Sequence, residues 1–188
     1  MISIKAPNIC YREANVADCP GVANVHVRAW RESFAEIVPQ AFLDKMSVEK
    51  RALAFAKRFS DESYRMYLAE VPDRGIVGFV DFGEPRESID AYETELYAIY
   101  ILPEFQRRGV GRRLFDLGVE ALIRDGKSSM YLLALEVSPY KSFYEKMGGQ
   151  VVGRKRVEIE AVMFEAEVHG WDNLGMSSRV KGRSNEHL

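Results

Sequence analysis

The sequence predicts an α+β protein of three layers: a mixed, mostly antiparallel central sheet of about seven strands with helices on both faces. Three observations lead there. Hydrophobic spacing is helical between about residues 18 and 59 and turns β-like beyond residue 64. One amphipathic helix separates two strand-like runs, residues 92–102 and 130–135, which is the pattern of a single βαβ crossover. The chain then ends in two consecutive strands, so it lacks the repeated βαβ units of a doubly wound sheet.

The elements follow in order. Ile9 to Arg12 reads as a short strand. Asp18, just before Pro20, marks a helix start, and Val22, Val25, Ala29 and Trp30 share one face. Pro39 opens a short helix through Phe42 and Leu43, and Ser47 caps another that carries Val48, Ala52, Phe55 and Phe59 on one side. Tyr64–Val71 and Gly75–Phe82 flank the turn PDRG and form a hairpin. A strand over Tyr92–Leu102 stops at Pro103, and the helix behind it buries Val110, Leu114, Leu117, Ala121 and Leu122 before Gly126 ends it. Met130–Leu135 is a strand, Ser138-Pro139 reads as an N-cap with Pro at N1, and Gly148-Gly149 closes that helix. Strands over Gln150–Val157 and Ala161–Val168 complete a domain spanning 1–173, and 174–188 is a polar tail.

With 188 residues, 47% of them hydrophobic, one domain with a real core is expected. A net charge of −2 argues against a general nucleic-acid face. Cys10 and Cys19 lie close together without CxxC or Cys/His spacing, so neither a disulfide framework nor a metal site is expected. No apolar run approaches membrane-spanning length, which fits a cytoplasmic protein without a membrane partner.

Against this mildly acidic background stands QRRGVGRRL, Gln106–Leu114. A strand, a glycine-bearing turn and a helix start together aim backbone N–H groups at an anion, and the helix N-terminus adds partial positive charge. The stretch is not a Walker loop, which needs G-x-x-x-x-G-K-[ST]. Nor is it a full dinucleotide fingerprint, because Leu114 holds the place of the third glycine.

Residues 95–147 resemble the GNAT superfamily of N-acetyltransferases. The match is Gln106-Arg107-Arg108-Gly109-Val110-Gly111 to the signature [QR]-x-x-G-x-[GA], preceded by ELYAIYILPEF. Further on, SPYKSFYEKMGG is similar to the second family signature. The resemblance implies that acetyl-CoA is the acyl donor, with its pyrophosphate on the loop formed by Gln106, Arg107, Arg108, Gly109, Val110, Gly111 and Arg112. It implies that the pantetheine arm pairs with the main chain of Ile99, Tyr100 and Ile101, a form of β-augmentation. The Ile101 amide then faces the developing oxyanion.

By the same resemblance, Glu95 stands where histone-type members keep a glutamate base, and Tyr144 matches the tyrosine that protonates the leaving thiolate. Two readings of each stay open, since Glu95 also fits a solvent-facing strand glutamate and Tyr144 a packed aromatic. Ser138 replaces an Asn that helps many relatives hold the cofactor. Lys141 reads either as a phosphate contact or as an exposed helix lysine. No cysteine lies near these segments, which favours direct transfer without a covalent acyl-enzyme and without a metal. Acceptor specificity in the family comes from the first helices, here AWRESFAEIVPQAFLDKM. Its Trp30 and Phe34, with Glu32 and Glu36, suit a cationic amine. The resemblance thus implies acetylation of a small-molecule primary amine; a protein acetyltransferase and a non-catalytic acyl-CoA sensor remain open. Dimers are frequent in the family, so the resemblance also implies a homodimer.

Overall fold

The computed structural model describes residues 8–89 and 91–175 of the chain. Seven strands form one sheet: β1 (Cys10–Glu13), β2 (Arg65–Val71), β3 (Gly75–Gly83), β4 (Glu95–Ile101), β5 (Met130–Leu135), β6 (Gln150–Ile159) and β7 (Val162–Trp171). Among the described residues these helices accompany them: α1 (Cys19–Ser33), α2 (Gln40–Lys45), α3 (Val48–Arg58), α4 (Val110–Arg124) and α5 (Lys141–Lys146). The strand order is β1-β2-β3-β4-β5-β7-β6. Every pairing is antiparallel except β4 with β5, which the α4 crossover makes parallel.

Strand alternation explains the two covered faces. On β3, Phe79 meets Phe55 of α3 and His26 of α1. Phe82 points to the other face, where a Cβ on Gly118 of α4 would fall inside its ring. Gly118 is therefore a close-approach glycine that lets α4 lie down on the sheet. Val22, Val25, Phe79, Phe82 and Leu114 are fully buried in one continuous core. A second cluster of Phe34, Val38, Leu43 and Ile159 seats α2 against the β6–β7 hairpin.

Several boundaries differ from those the sequence predicts. A 3-10 turn over Val16–Asp18 precedes α1; Asn15 caps that turn, Asp18 closes its capping box by accepting from the Asn15 amide at 2.9 Å, and α1 starts directly after Asp18 without a side-chain cap bond. The Asp18 carboxylate also takes Arg12 in a bidentate pair at 2.7 and 2.8 Å. β4 begins at Glu95 because residues 92–94 are drawn aside, Tyr92 toward Asp172 and Glu93 toward Ser128. Ser138 does not cap α5. Its hydroxyl accepts from the Tyr140 amide at 3.3 Å and fixes a turn, and the helix proper starts at Lys141. Leu174, which the sequence puts at the head of a tail, is buried and donates its amide to the Ser128 carbonyl at 2.8 Å. The folded unit therefore reaches past residue 173. Residues 176–188 of the expected tail lie outside the described residues.

Candidate active site

The sheet parts in its middle. β4 is paired with β3 from Gly78↔Ile101 to Gly83↔Glu95, yet it meets β5 at Glu95↔Tyr131 alone. β5 meanwhile is paired along its whole length with β7. The two parallel strands therefore diverge toward their C-terminal ends, and a cavity of about 1090 Å³ fills the opening.

Main-chain groups line this gap because strand hydrogen bonds alternate in direction. The Leu102 amide donates to Val77 of β3, so Tyr100 also turns its main chain toward β3, and Ile99 and Ile101 turn theirs to the gap. Tyr100 thus contributes its ring and not its backbone, because its carbonyl is spent inside the sheet. That ring lies among His26, Phe79 and Trp30. Gln106 reaches back from the loop and donates its side-chain amide to the Ile101 carbonyl at 2.9 Å. This contact joins the glycine loop to the strand end and leaves the Ile101 N–H facing the cavity.

At the wide end, Arg107 (φ 58°) and Gly109 (φ 82°) turn the chain sharply into α4. No side chain caps α4, so its first-turn amides are free for an external anion. A Cβ on Gly109 would meet nothing within 4 Å, the open space that a bulky ligand group needs. Gly111 has a different reason. A Cβ there would stand 3.1 Å from Ile101 and 3.4 Å from Phe143, so it lets α4 approach both β4 and α5. Arg107 and Arg112 line the cavity; Arg108 is exposed outside it, and buried Val110 belongs to the core. Lys141 also turns away, donating to Glu167 of β7 at 3.1 Å, and Lys146 stands in the wall instead. A loop of open amides with Arg107, Arg112 and Lys146 around it fits a pyrophosphate.

A family comparison settles what this architecture is. Residues 27–149 match the model of the acetyltransferase (GNAT) family. The chain belongs to the GNAT family. It is 33% identical over 176 residues to a protein of Bacillus subtilis (strain 168) named as the N-acetyltransferase YuaI, spanning 93% of this chain and 99% of that one. PaiA N-acetyltransferase from Thermoplasma acidophilum, solved with coenzyme A, superposes with a TM-score of 0.61 at 20% identity, over 85% of this chain and 98% of that one. The yncA protein of Salmonella typhimurium, solved with acetyl-CoA, gives a TM-score of 0.67 at 20% identity, covering 89% and 94%. The protein is accordingly an acetyl-CoA-dependent N-acetyltransferase.

The chemistry-bearing side chains of this GNAT enzyme gather where β4 and β5 part. Tyr144 lines the cavity, with its ring against Phe143 and His169. No hydrogen bond to its hydroxyl forms among the described residues. Burial, reinforced by Tyr140, pushes that hydroxyl up to about 12, so it keeps its proton throughout the neutral range. Tyr140 in turn meets Ser33 of α1, hydroxyl to hydroxyl, at 2.8 Å. Ser138 lines the same wall.

Glu95 is not the solvent-facing glutamate one reading allows; it is 1% exposed. Its Oε2 accepts from the Arg86 amide at 2.9 Å and the Tyr131 hydroxyl at 3.1 Å. Its Oε1 accepts from Arg86 Nε at 3.0 Å and from Arg86 Nη2. Arg86 supplies three donors, and the one Tyr131 proton is shared with the Glu87 carbonyl at 2.8 Å, so most of the roughly four lone-pair sites of the carboxylate are taken. Trp30 and Phe34 both line the cavity and stack with centroids 4.7 Å apart, while also anchoring the α2 cluster. Glu32 and Glu36 do not accompany them: Glu32 pairs with Arg28 at 2.7 Å, and neither lines the cavity.

Sequence reasoning missed Arg86, Tyr97, Tyr131, Tyr140, Lys146 and Arg156, all of them in the wall. Arg86 sits in the β3–β4 connection and Arg156 on the last hairpin, segments without a motif. The second signature did contain Tyr140 and Lys146, so these two were within reach of the resemblance.

Proposed function

We propose that this enzyme moves the acetyl group of acetyl-CoA directly to a primary amine of a small molecule. The parted sheet carries the reading. One cavity runs along the gap from the open amides near Gly109, past Ile101 and Tyr144, to Trp30 and Phe34. The Ser33–Tyr140 contact joins α1 to the turn before α5 beside it, and a bridged cavity suits a compact acceptor better than an extended peptide.

In this reading the open main chain of Ile99 and Ile101 aligns the donor like an added strand, and the Ile101 N–H supports the thioester oxygen. The acceptor nitrogen forms its bond to the acetyl carbon as the carbon–sulfur bond breaks. The nitrogen gives up a proton to solvent, the departing sulfur takes one from Tyr144, and Tyr144 regains its own from solvent. Cys10 and Cys19 are absent from the cavity wall, which favours transfer without an acyl-cysteine. Glu95, with most of its lone pairs taken, acts as a positioning residue for Arg86 and the β4–β5 junction. No metal takes part in this scheme.

Calorimetry with acetyl-CoA, followed by a thiol-release assay over a panel of amines with products identified by mass, tests the proposal. Binding with turnover on small amines supports it. Absence of binding at millimolar acetyl-CoA sinks it. Binding without turnover on any amine would make the protein an acyl-CoA sensor, and turnover restricted to protein lysines or N-termini would make it a protein acetyltransferase.

A further inference from the structure

The charges along the cavity wall do not suit a polycation. Three carboxylates line the wall: Glu87, Glu95 and Glu158. Glu95 is held by Arg86 and Tyr131, and Glu87 is paired with Lys155 of β6. The Glu87–Lys155 pair clasps the β3–β4 connection to β6. Arg86 and Arg156, the neighbours of that pair in sequence, both line the cavity.

Each arginine has donors to spare. Arg86 spends its amide, Nε and Nη2 on Glu95, which leaves Nη1, and its guanidinium is held over the Tyr97 ring with 5.0 Å to the centroid. Arg156 makes no hydrogen bond or ion pair among the described residues; Glu165, its cross-strand neighbour in the register, lies beyond pairing distance. Glu158 is two residues from Arg156 on the same face of β6, roughly 7 Å along the strand by ordinary strand rise, and is also unpaired among the described residues.

We propose that the acceptor carries a carboxylate as well as its amine, an amino-acid-type amine, and that Arg156, with the Nη1 edge of Arg86, is the pair that selects it. The inference rests on the proposed acetyl transfer to a small amine and names the acceptor's chemical class. Guanidinium forks match carboxylates in shape and charge, and the unpaired Glu158 faces the ammonium end of a zwitterion. Glu95 then matters through Arg86: its buried carboxylate and the Tyr97 ring fix one half of the pair in place.

The test uses matched acceptors: an amino acid, its carboxamide, the decarboxylated amine and spermidine, each assayed by thiol release with the product mass confirmed. The carboxylated acceptor is expected to show kcat/KM at least about tenfold above its carboxamide, the size of one charge-assisted hydrogen bond. Arg156→Gln should raise the KM for that acceptor by about tenfold or more and leave the KM values for acetyl-CoA and the carboxamide nearly unchanged. Arg156→Lys should recover part of the loss. Arg156 is exposed, so melting curves should show the variants folded. Equal or better turnover of the carboxamide, the decarboxylated amine or spermidine overturns the inference and leaves the proposed function intact. So does an unchanged preference in Arg156→Gln. Acetyl-CoA binding with no amine acetylated removes the proposed function and this inference together.

Discussion

Glu95→Gln separates two jobs for one residue, a base at the acceptor or an anchor for Arg86. The magnitude follows from the four bonds. The best-fitting glutamine keeps its carbonyl oxygen under the Arg86 guanidinium and puts its NH₂ where Oε2 accepts from the Arg86 amide and the Tyr131 hydroxyl. Tyr131 can rotate to accept, since its hydroxyl also has the Glu87 carbonyl at 2.8 Å to donate to. The Arg86 amide cannot turn and is left facing a donor. One stranded amide and a guanidinium bond reduced to a neutral partner together cost about 2–4 kcal/mol of stability, with Arg86 half-exposed and able to recover some hydration. An anchor predicts that loss in urea unfolding, a kcat within about tenfold of wild type, and an unaltered pH profile. A base predicts the reverse: a kcat lower by about 10²–10⁴ and a lost rising limb in the profile. Stability untouched with catalysis destroyed would refute the assignment of Glu95 as a positioning residue.

Three further predictions follow from single contacts. Tyr144→Phe removes a hydroxyl that holds up no part of the fold, so its melting curve should match wild type while kcat falls about 10²-fold at unchanged KM for acetyl-CoA; because burial pushes that hydroxyl up to about 12, loss of its proton should add no falling limb to wild-type kcat in the neutral range. Burial holds His26 down at about 3, so as pH falls below its ordinary 6.5 the unfolded chain gains a proton the folded one refuses, and stability drains away between those values. Burial holds Asp81 up at about 6, so between 6 and 3.8 the folded chain takes the extra proton and stability is gained as pH falls. Urea midpoints from pH 7 to 4 should therefore fall more steeply in Asp81→Asn than in wild type, and less steeply in His26→Gln. Gly118→Ala drives a methyl group into the Phe82 ring and should cost about 1–3 kcal/mol by the same measurement, without a change in KM.

Local periodicity carried most of the fold. Met130–Leu135 is a strand to the residue because its apolar run is bounded on both sides by polar turns. Periodicity failed where a tertiary bond overruled a local rule. Ser138-Pro139 has the composition of a helix start, but the hydroxyl closes a turn on Tyr140 instead. Asp18 does stand directly before α1, but its side chain gives that helix no cap bond, because Arg12 and the Asn15 amide hold it. In the site, the glycine loop was legible because its backbone geometry demands particular residues at fixed spacing. Arg86 and Arg156 were not, since they reach the cavity from segments that no short pattern connects. Lys141 fits neither of its two readings, a phosphate contact or an exposed helix lysine, because Glu167 on a strand read separately holds it.

The single rung between β4 and β5 has a consequence for how the protein breathes. A sheet ordinarily protects its central amides best and its edges least. Here the Ile99 and Ile101 amides lie mid-sheet without a partner strand, so they should exchange with solvent faster than amides of the outlying β6–β7 ladder, which is paired along its length. The molecule behaves as two half-sheets stitched at Glu95 and Tyr131, with α4 running as a strap from one to the other. A ligand lying in the seam would act as the missing rungs. Its affinity and the cohesion of the two halves would then be one quantity, legible as slowed exchange at Ile99 and Ile101 before any reaction is measured.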